Sequence, residues 1–173
     1  MKTKDVFTDD ELSNHLIKAT SGKGIVPLHH TITLYALARI RHLLSRDEYG
    51  HMLNAWVAFM GKKEEAPFSF HKTRREGPHD YTVFFEDFSR MDAPLMTARA
   101  MVMTGTAQGR HRLSRFLIKA ISDSYQDNYN PHYLTGLGCT LWAIRTFGNR
   151  PEIIQNALFQ YFVFFFDGLQ SAG

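Results

Sequence analysis

Polar residues of the helix-capping type, each followed three positions later by glutamate, recur along this chain and constrain its fold more than any other feature. Thr8-Asp9-Asp10-Glu11, Ser45-Arg46-Asp47-Glu48 and Asn149-Arg150-Pro151-Glu152 all have this form. The capping oxygen satisfies an orphaned N–H of the first turn, and the glutamate reaches back to the cap's own N–H. Asp80, Asp92 with Pro94, and Asn130 with Pro131 supply further starts, proline being tolerated in a first turn because its missing N–H would be unsatisfied there anyway. No convincing strand interrupts them. The one β-like run, Tyr81-Thr82-Val83-Phe84-Phe85, lies between helix-type signals, and β-branched alternation is absent elsewhere.

These signals predict a single all-α domain over 1–173, a compact bundle of about seven or eight helices. Helices are expected from Thr8 to about Ala19, from Pro27 to about Leu44, and from Ser45 to about Met60. Others should run over Tyr81–Ser89, from Asp92 to about Thr104, from Arg110 to about Tyr125, from Asn130 to about Phe147, and from Asn149 to near Gly168. Gly105 and Gly109 read as breaks. The charged stretch Lys62 to Pro78 lacks apolar periodicity and is the best candidate for a mobile or substrate-covering loop. At 173 residues and 44% hydrophobic the chain can bury a core without disulfide or metal.

His30-x-x-Thr33-x-x-Ala36 matches His132-x-x-Thr135-x-x-Gly138 at a constant offset, and Arg41/Arg145, Glu48/Glu152 and Asn54-Ala55/Asn156-Ala157 extend the match. The expected internal repeat covers approximately 27–60 and 129–168, two similar helix hairpins that would bring His30 and His132 toward one shared pocket. An imidazole there could be a general base, a partner for a phenol or carbonyl, or a metal ligand. Thr33 and Thr135, three residues on, share a face with their histidines and could orient them. The alternative is that both hydroxyls bond the preceding turn and the histidines serve as caps. His29 beside His30 points about 100° away, so one of the two is expected to be structural.

Other constellations are weaker. Glu48-x-x-His51 has the spacing of a di-iron helix, but the matching position of the second half is Gln155 and Glu48 is already a cap. No zinc motif is present, so no metal site is expected. Neither a dinucleotide-binding nor a phosphate-loop glycine pattern occurs, and Gly136 and Gly138 suit close helix packing. The net charge of +3 is mild. Its basic residues gather at Lys72-Thr73-Arg74-Arg75 and along Arg110, Arg112, Arg115 and Lys119, the second set at helical spacing. That set could bind nucleic acid or a protein partner, although a solvated face is the commoner meaning. The lone Cys139 falls in an apolar helix, and the start turns acidic after Lys4 instead of entering an apolar run, so a cytoplasmic setting is expected. The aromatic run Phe159 to Phe166 is too short to span a bilayer. Apolar on most sides, it must be either a central helix or half of a homodimer interface, and a homodimer is expected.

Two stretches resemble the questin oxidase-like family. His29-His30-Thr31-Ile32-Thr33-Leu34-Tyr35-Ala36-Leu37 looks like that family's His-His-x-x-Thr-Leu-Tyr-Ala-Leu segment, and Asp80-Tyr81-Thr82-Val83-Phe84-Phe85-Glu86-Asp87 is similar to its Asp-Tyr-x-x-Phe-Phe-Glu-Asp segment. A later family histidine opening an apolar helix would fall at His132. The matching stretches cover about a quarter of the chain, and the family's members are considerably longer. The resemblance implies an oxygen-using oxidoreductase acting on an aromatic or polyketide-type small molecule, with NADPH as reductant. It implies an aromatic-lined pocket, His30 and His132 as acid/base or ligand residues, Thr33 and Thr135 as their supports, and Tyr35 as a phenol-facing group. The alternative to this enzyme is a non-catalytic helical homodimer that binds a partner through the basic helix.

Overall fold

The computed structural model describes residues 9–21, 25–60, 80–124 and 130–172. The proposed loop over Lys62 to Pro78, its Lys72–Arg75 cluster, His71, His79 and the Thr8 cap lie outside them. Among the described residues there are eight α-helices and no strand: α1 (Asp9–Thr20), α2 (Ile25–Ile40), α3 (Arg46–Met60), α4 (Tyr81–Ser89), α5 (Ala93–Met103), α6 (Ala107–Ser124), α7 (Pro131–Thr146) and α8 (Pro151–Ala172). A single 3₁₀ turn, Arg41–Leu43, separates α2 from α3.

The caps form as their chemistry requires. Ser45 and Glu48 bond reciprocally, the Ser45 N–H to Glu48 Oε2 at 2.8 Å and the Glu48 N–H to Ser45 Oγ at 3.3 Å, and those bonds hold the Glu48 carboxyl below its ordinary pKa. Asp80 accepts from the Val83 N–H, Asp92 from the Leu95 N–H and Asn130 from the His132 N–H. The α4–α5 turn puts Met91 at φ 53°, a left-handed conformation uncommon outside glycine.

Three boundaries differ from the sequence reading by three residues or more: α2 ends at Ile40 instead of about Leu44, where the 3₁₀ turn takes over, and the other two differ because a glycine taken for a break is a point of close approach. Helix α6 begins at Ala107, not Arg110, because Thr106 Oγ1 caps it by accepting from the Gly109 N–H at 3.0 Å. A Cβ on Gly109 would lie 2.1 Å from the Met103 carbonyl oxygen, so only glycine lets α5 and α6 meet so tightly. Helix α8 continues past Gly168 to Ala172, and a Cβ on Gly168 would fall on the Tyr133 hydroxyl.

Helix α8 is the axis of the bundle, packing against α1, α2, α5 and α7. Its Phe162, Phe165 and Phe166 are buried with Phe84, Phe88, Met96 and Leu117 in the larger of two apolar clusters, built with α4, α5, α6 and α7. The second cluster joins α1, α2 and α3 to the start of α8 through Leu16, Leu34, Leu53, Trp56 and Ile153. The aromatic run is therefore covered within one chain, and the central-helix alternative accounts for it without a second copy. Two buried polar side chains tie α1, α2 and α8 together: Thr31 Oγ1 donates to Gln160 Oε1 at 2.7 Å, and Gln160 Nε2 donates to the Ala19 carbonyl at 3.0 Å. No helix among the described residues is long and apolar enough to cross a membrane.

Cys139 sits inside α7, 1% exposed, and burial pushes its thiol up to about 12. The thiolate is the reactive form. A thiol reagent at about pH 8 should therefore leave the native protein unlabelled and modify one cysteine once denaturant is added; fast labelling of native protein would contradict the packing of α7.

Candidate functional site

Helix α2 lies against α7, and at that contact the sequence supplies one imidazole from each helix. The pair is His29 with His132. Their Nε2 atoms are 3.2 Å apart, with ring centroids separated by 4.6 Å and planes at 75°. Such a contact between neutral imidazoles requires one ring to carry its proton on Nε2 and the other on Nδ1. Both residues are half-buried, which leaves them reachable from solvent while restricting their rotamers.

The pair is held from behind. Asn130 caps the turn that carries His132, and Tyr161, fully buried in α8, donates its hydroxyl proton to the Tyr133 carbonyl at 2.8 Å. Gly136 allows this approach, since a Cβ there would press on the Tyr161 ring at 3.0 Å. Desolvation holds the Tyr161 hydroxyl well above the ordinary phenol range, so it remains a donor. Phe164 stands edge-on to His132 and tilted against Tyr133, at centroid distances of 6.4 and 5.5 Å. The result is two imidazoles beside an aromatic wall, on helices that cannot slide apart without breaking buried bonds.

His30, the residue singled out from the repeat, is not the partner of His132. It is 2% exposed. Its ring stands edge-on to Phe59 at 5.0 Å, and its carbonyl accepts from the Trp56 indole N–H at 3.0 Å, which places it on the α3 side of α2. Successive helical residues diverge by about 100°, so only one of the adjacent histidines can face α7, and packing selects His29. The matched positions of the two hairpins consequently do not meet as symmetric equivalents.

Neither Thr33 nor Thr135 hydrogen-bonds to an imidazole of the pair. Thr33 Oγ1 donates to the His29 carbonyl at 2.8 Å and Thr135 Oγ1 to the Pro131 carbonyl at 3.1 Å, the back-bonding that exposed helical threonines commonly make. Each therefore braces the turn that carries its histidine. Tyr35 lies further along the α2–α7 contact, half-buried, with its ring 5.4 Å from that of Trp142. Of the residues that hold the pair in place, Tyr161 and Gln160 were not expected, and only their position in an otherwise apolar helix marks them in the sequence.

Two imidazole nitrogens 3.2 Å apart have roughly the separation of adjacent ligands on one tetrahedral ion, about 3.3 Å for metal–nitrogen bonds near 2.0–2.1 Å. Among the described residues no group of three or more His, Cys, Asp or Glu converges. The pair thus offers two ligands, or a donor and an acceptor side by side.

The basic helix has its own geometry. Arg110 does not line the open face of α6; its Nη1 donates to the Thr104 carbonyl at 2.9 Å, and its guanidinium packs on Gly148. Arg112, Arg115 and Lys119 do line that face, beside Tyr81 of α4.

Comparisons of the chain with protein-family models, curated proteins and solved structures returned no match.

Proposed function

We propose that the chain is an oxidoreductase that takes a hydroxylated aromatic or polyketide-type small molecule at the His29–His132 pair, with dioxygen as oxidant. The observation that carries this reading is the 3.2 Å approach of two imidazole Nε2 atoms from separate helices, half-buried beside Phe164. The ring that donates through its Nε2 keeps an unprotonated Nδ1, and a phenol donates its proton there while the second ring accepts the Nε2 proton in the 3.2 Å bond behind it. The developing phenolate is then stabilised beside the imidazolium, a carbon of its ring bonds dioxygen, and the proton held on the imidazole passes to the new peroxide oxygen, so that the substrate itself reduces dioxygen to a hydroperoxide and both oxygen atoms stay on it. General-base help of this kind contributes about 10²–10⁴ in rate. The wall of Phe164 and Tyr133 suits the flat face of such a substrate.

The resemblance to the questin oxidase-like family motivates the substrate class and implies NADPH. No glycine-rich strand-to-helix turn of the kind that cradles a dinucleotide occurs among the described helices, so no step is assigned through that cofactor. The site should bind the substrate without it. Titrating the protein with a hydroxyanthraquinone, followed by the quinone's absorption, should give saturable binding that weakens at least tenfold in His29→Gln and in His132→Gln. Equal affinity in wild type and both variants would overturn the reading.

A further inference from the structure

A groove of about 800 Å³ runs between the start of α4 and the outer face of α6. Arg112, Arg115 and Lys119 follow one another along its wall at i, i+3 and i+7, neighbours about 5–6 Å apart on a helix surface. The groove's single carboxylate, Asp123, is already engaged: Lys119 Nζ lies 2.6 Å from it and the Tyr81 hydroxyl donates to it at 2.7 Å. Those two bonds hold the Asp123 carboxyl below its ordinary pKa. Burial and the bond to Asp123 push the Tyr81 phenol up, so it stays a donor. Arg112 and Arg115 are exposed and, among the described residues, bond to no carboxylate. Two guanidinium groups that meet no carboxylate among the described residues therefore stand in a row beside the half-buried ring of Phe116, while the Tyr81 ring is stacked on Phe85 at 5.7 Å and covered by the Lys119 ammonium at 4.6 Å.

The geometry points to this groove as a binding site for single-stranded nucleic acid, independent of the His29–His132 pair. A row of cations that tracks a backbone, with an aromatic side chain, here Phe116, beside it for an unstacked base, is the arrangement such strands require. A membrane surface fits poorly. The apolar face of α6, Leu113, Leu117, Ala120 and Ile121, is buried in the core and cannot enter a lipid headgroup layer as an interfacial helix must. Duplex fits poorly too, because paired bases cannot stack on Phe116.

Phosphate contacts make the affinity depend on salt, with a slope of about −0.7 per contact for single strands. Two contacts, at Arg112 and Arg115, predict a slope near −1.4 in log K against log salt. The test is fluorescence anisotropy of a labelled oligonucleotide of about eight nucleotides with the whole chain, across a salt series. R112E/R115E lies on an exposed face and should keep the wild-type circular dichroism while losing at least tenfold in affinity and nearly all of the salt slope. R39E/R145E, the same charge change at exposed positions on α2 and α7, should bind within about twofold of wild type. Duplex of the same sequence, and vesicles rich in anionic lipid, should bind at least tenfold more weakly. Absence of binding, equal losses in the two charge-reversal variants, or equal affinity for strand, duplex and vesicle would each overturn the assignment.

Discussion

Replacing Asp87 with alanine should cost this protein about 3–5 kcal/mol of stability, the usual penalty for stranding a buried charge. Asp87 and Arg99 are 3% and 7% exposed, and Arg99 Nε donates to Asp87 Oδ2 at 2.8 Å across the α4–α5 interface. Arg90 approaches the other carboxylate oxygen at 3.4 Å from the solvent side and contributes less. Among the described residues Arg99 Nη1 has no hydrogen-bond partner, so the guanidinium leans heavily on Asp87. Without the carboxylate, a cation remains desolvated beneath α4. For a chain of 173 residues a loss of that size lowers Tm by about 10 °C. Adding Arg99→Met to Asp87→Ala should restore most of it, because a neutral pair has no charge to strand. A single variant that unfolds within about 1 kcal/mol of wild type, the range of an exposed pair, would show the ion pair to be solvated.

The second large effect is expected at Phe165. Its ring is fully buried and lies 4.8 Å from Tyr133, 5.8 Å from Phe88 and 5.9 Å from Tyr161. Truncation to alanine removes the apolar burial and leaves a cavity that rigid neighbouring helices cannot close, about 3–5 kcal/mol for a buried phenylalanine. The loss also reaches the candidate site, since Phe165 braces both members of the Tyr161–Tyr133 bond that fixes the turn carrying His132. Leu43, 72% exposed, is the contrasting case, and its alanine variant should stay within about 0.5 kcal/mol of wild type. Chemical denaturation of the two variants side by side checks both expectations.

How much of this was legible in the sequence depends on the range of the interaction. Caps act within one turn, so Ser45 with Glu48, Asp80, Asp92 and Asn130 could be read directly, and with them the all-helical class. The same local reading misplaced Gly109 and Gly168. A missing side chain marks a break and a close approach equally well, and only the neighbour across the gap decides which. The Asp87–Arg99 pair left no trace, because the two residues share no helix and their meeting depends on how α4 and α5 cross.

The histidine site was half legible. His132 stood out by opening a helix after a proline, and the α2 segment stood out by its adjacent imidazoles. Helix α2 packs against both α3 and α7, so each of its sides is apolar, and periodicity could not say whether His29 or His30 faces α7. The threonines were legible as helix residues, and their backbone bonds are the ordinary behaviour of that residue type.

The central claim is that the His29–His132 pair handles a substrate proton during an oxidation. Oxygen uptake by the purified protein, supplied with a hydroxyanthraquinone and NADPH, tests it most directly when wild type is compared with His29→Gln and His132→Gln of matched Tm. Substrate-dependent uptake by wild type, reduced by about 10²–10⁴ in each variant, is the predicted result. Uptake equal in all three proteins, or none above background in wild type, would contradict it.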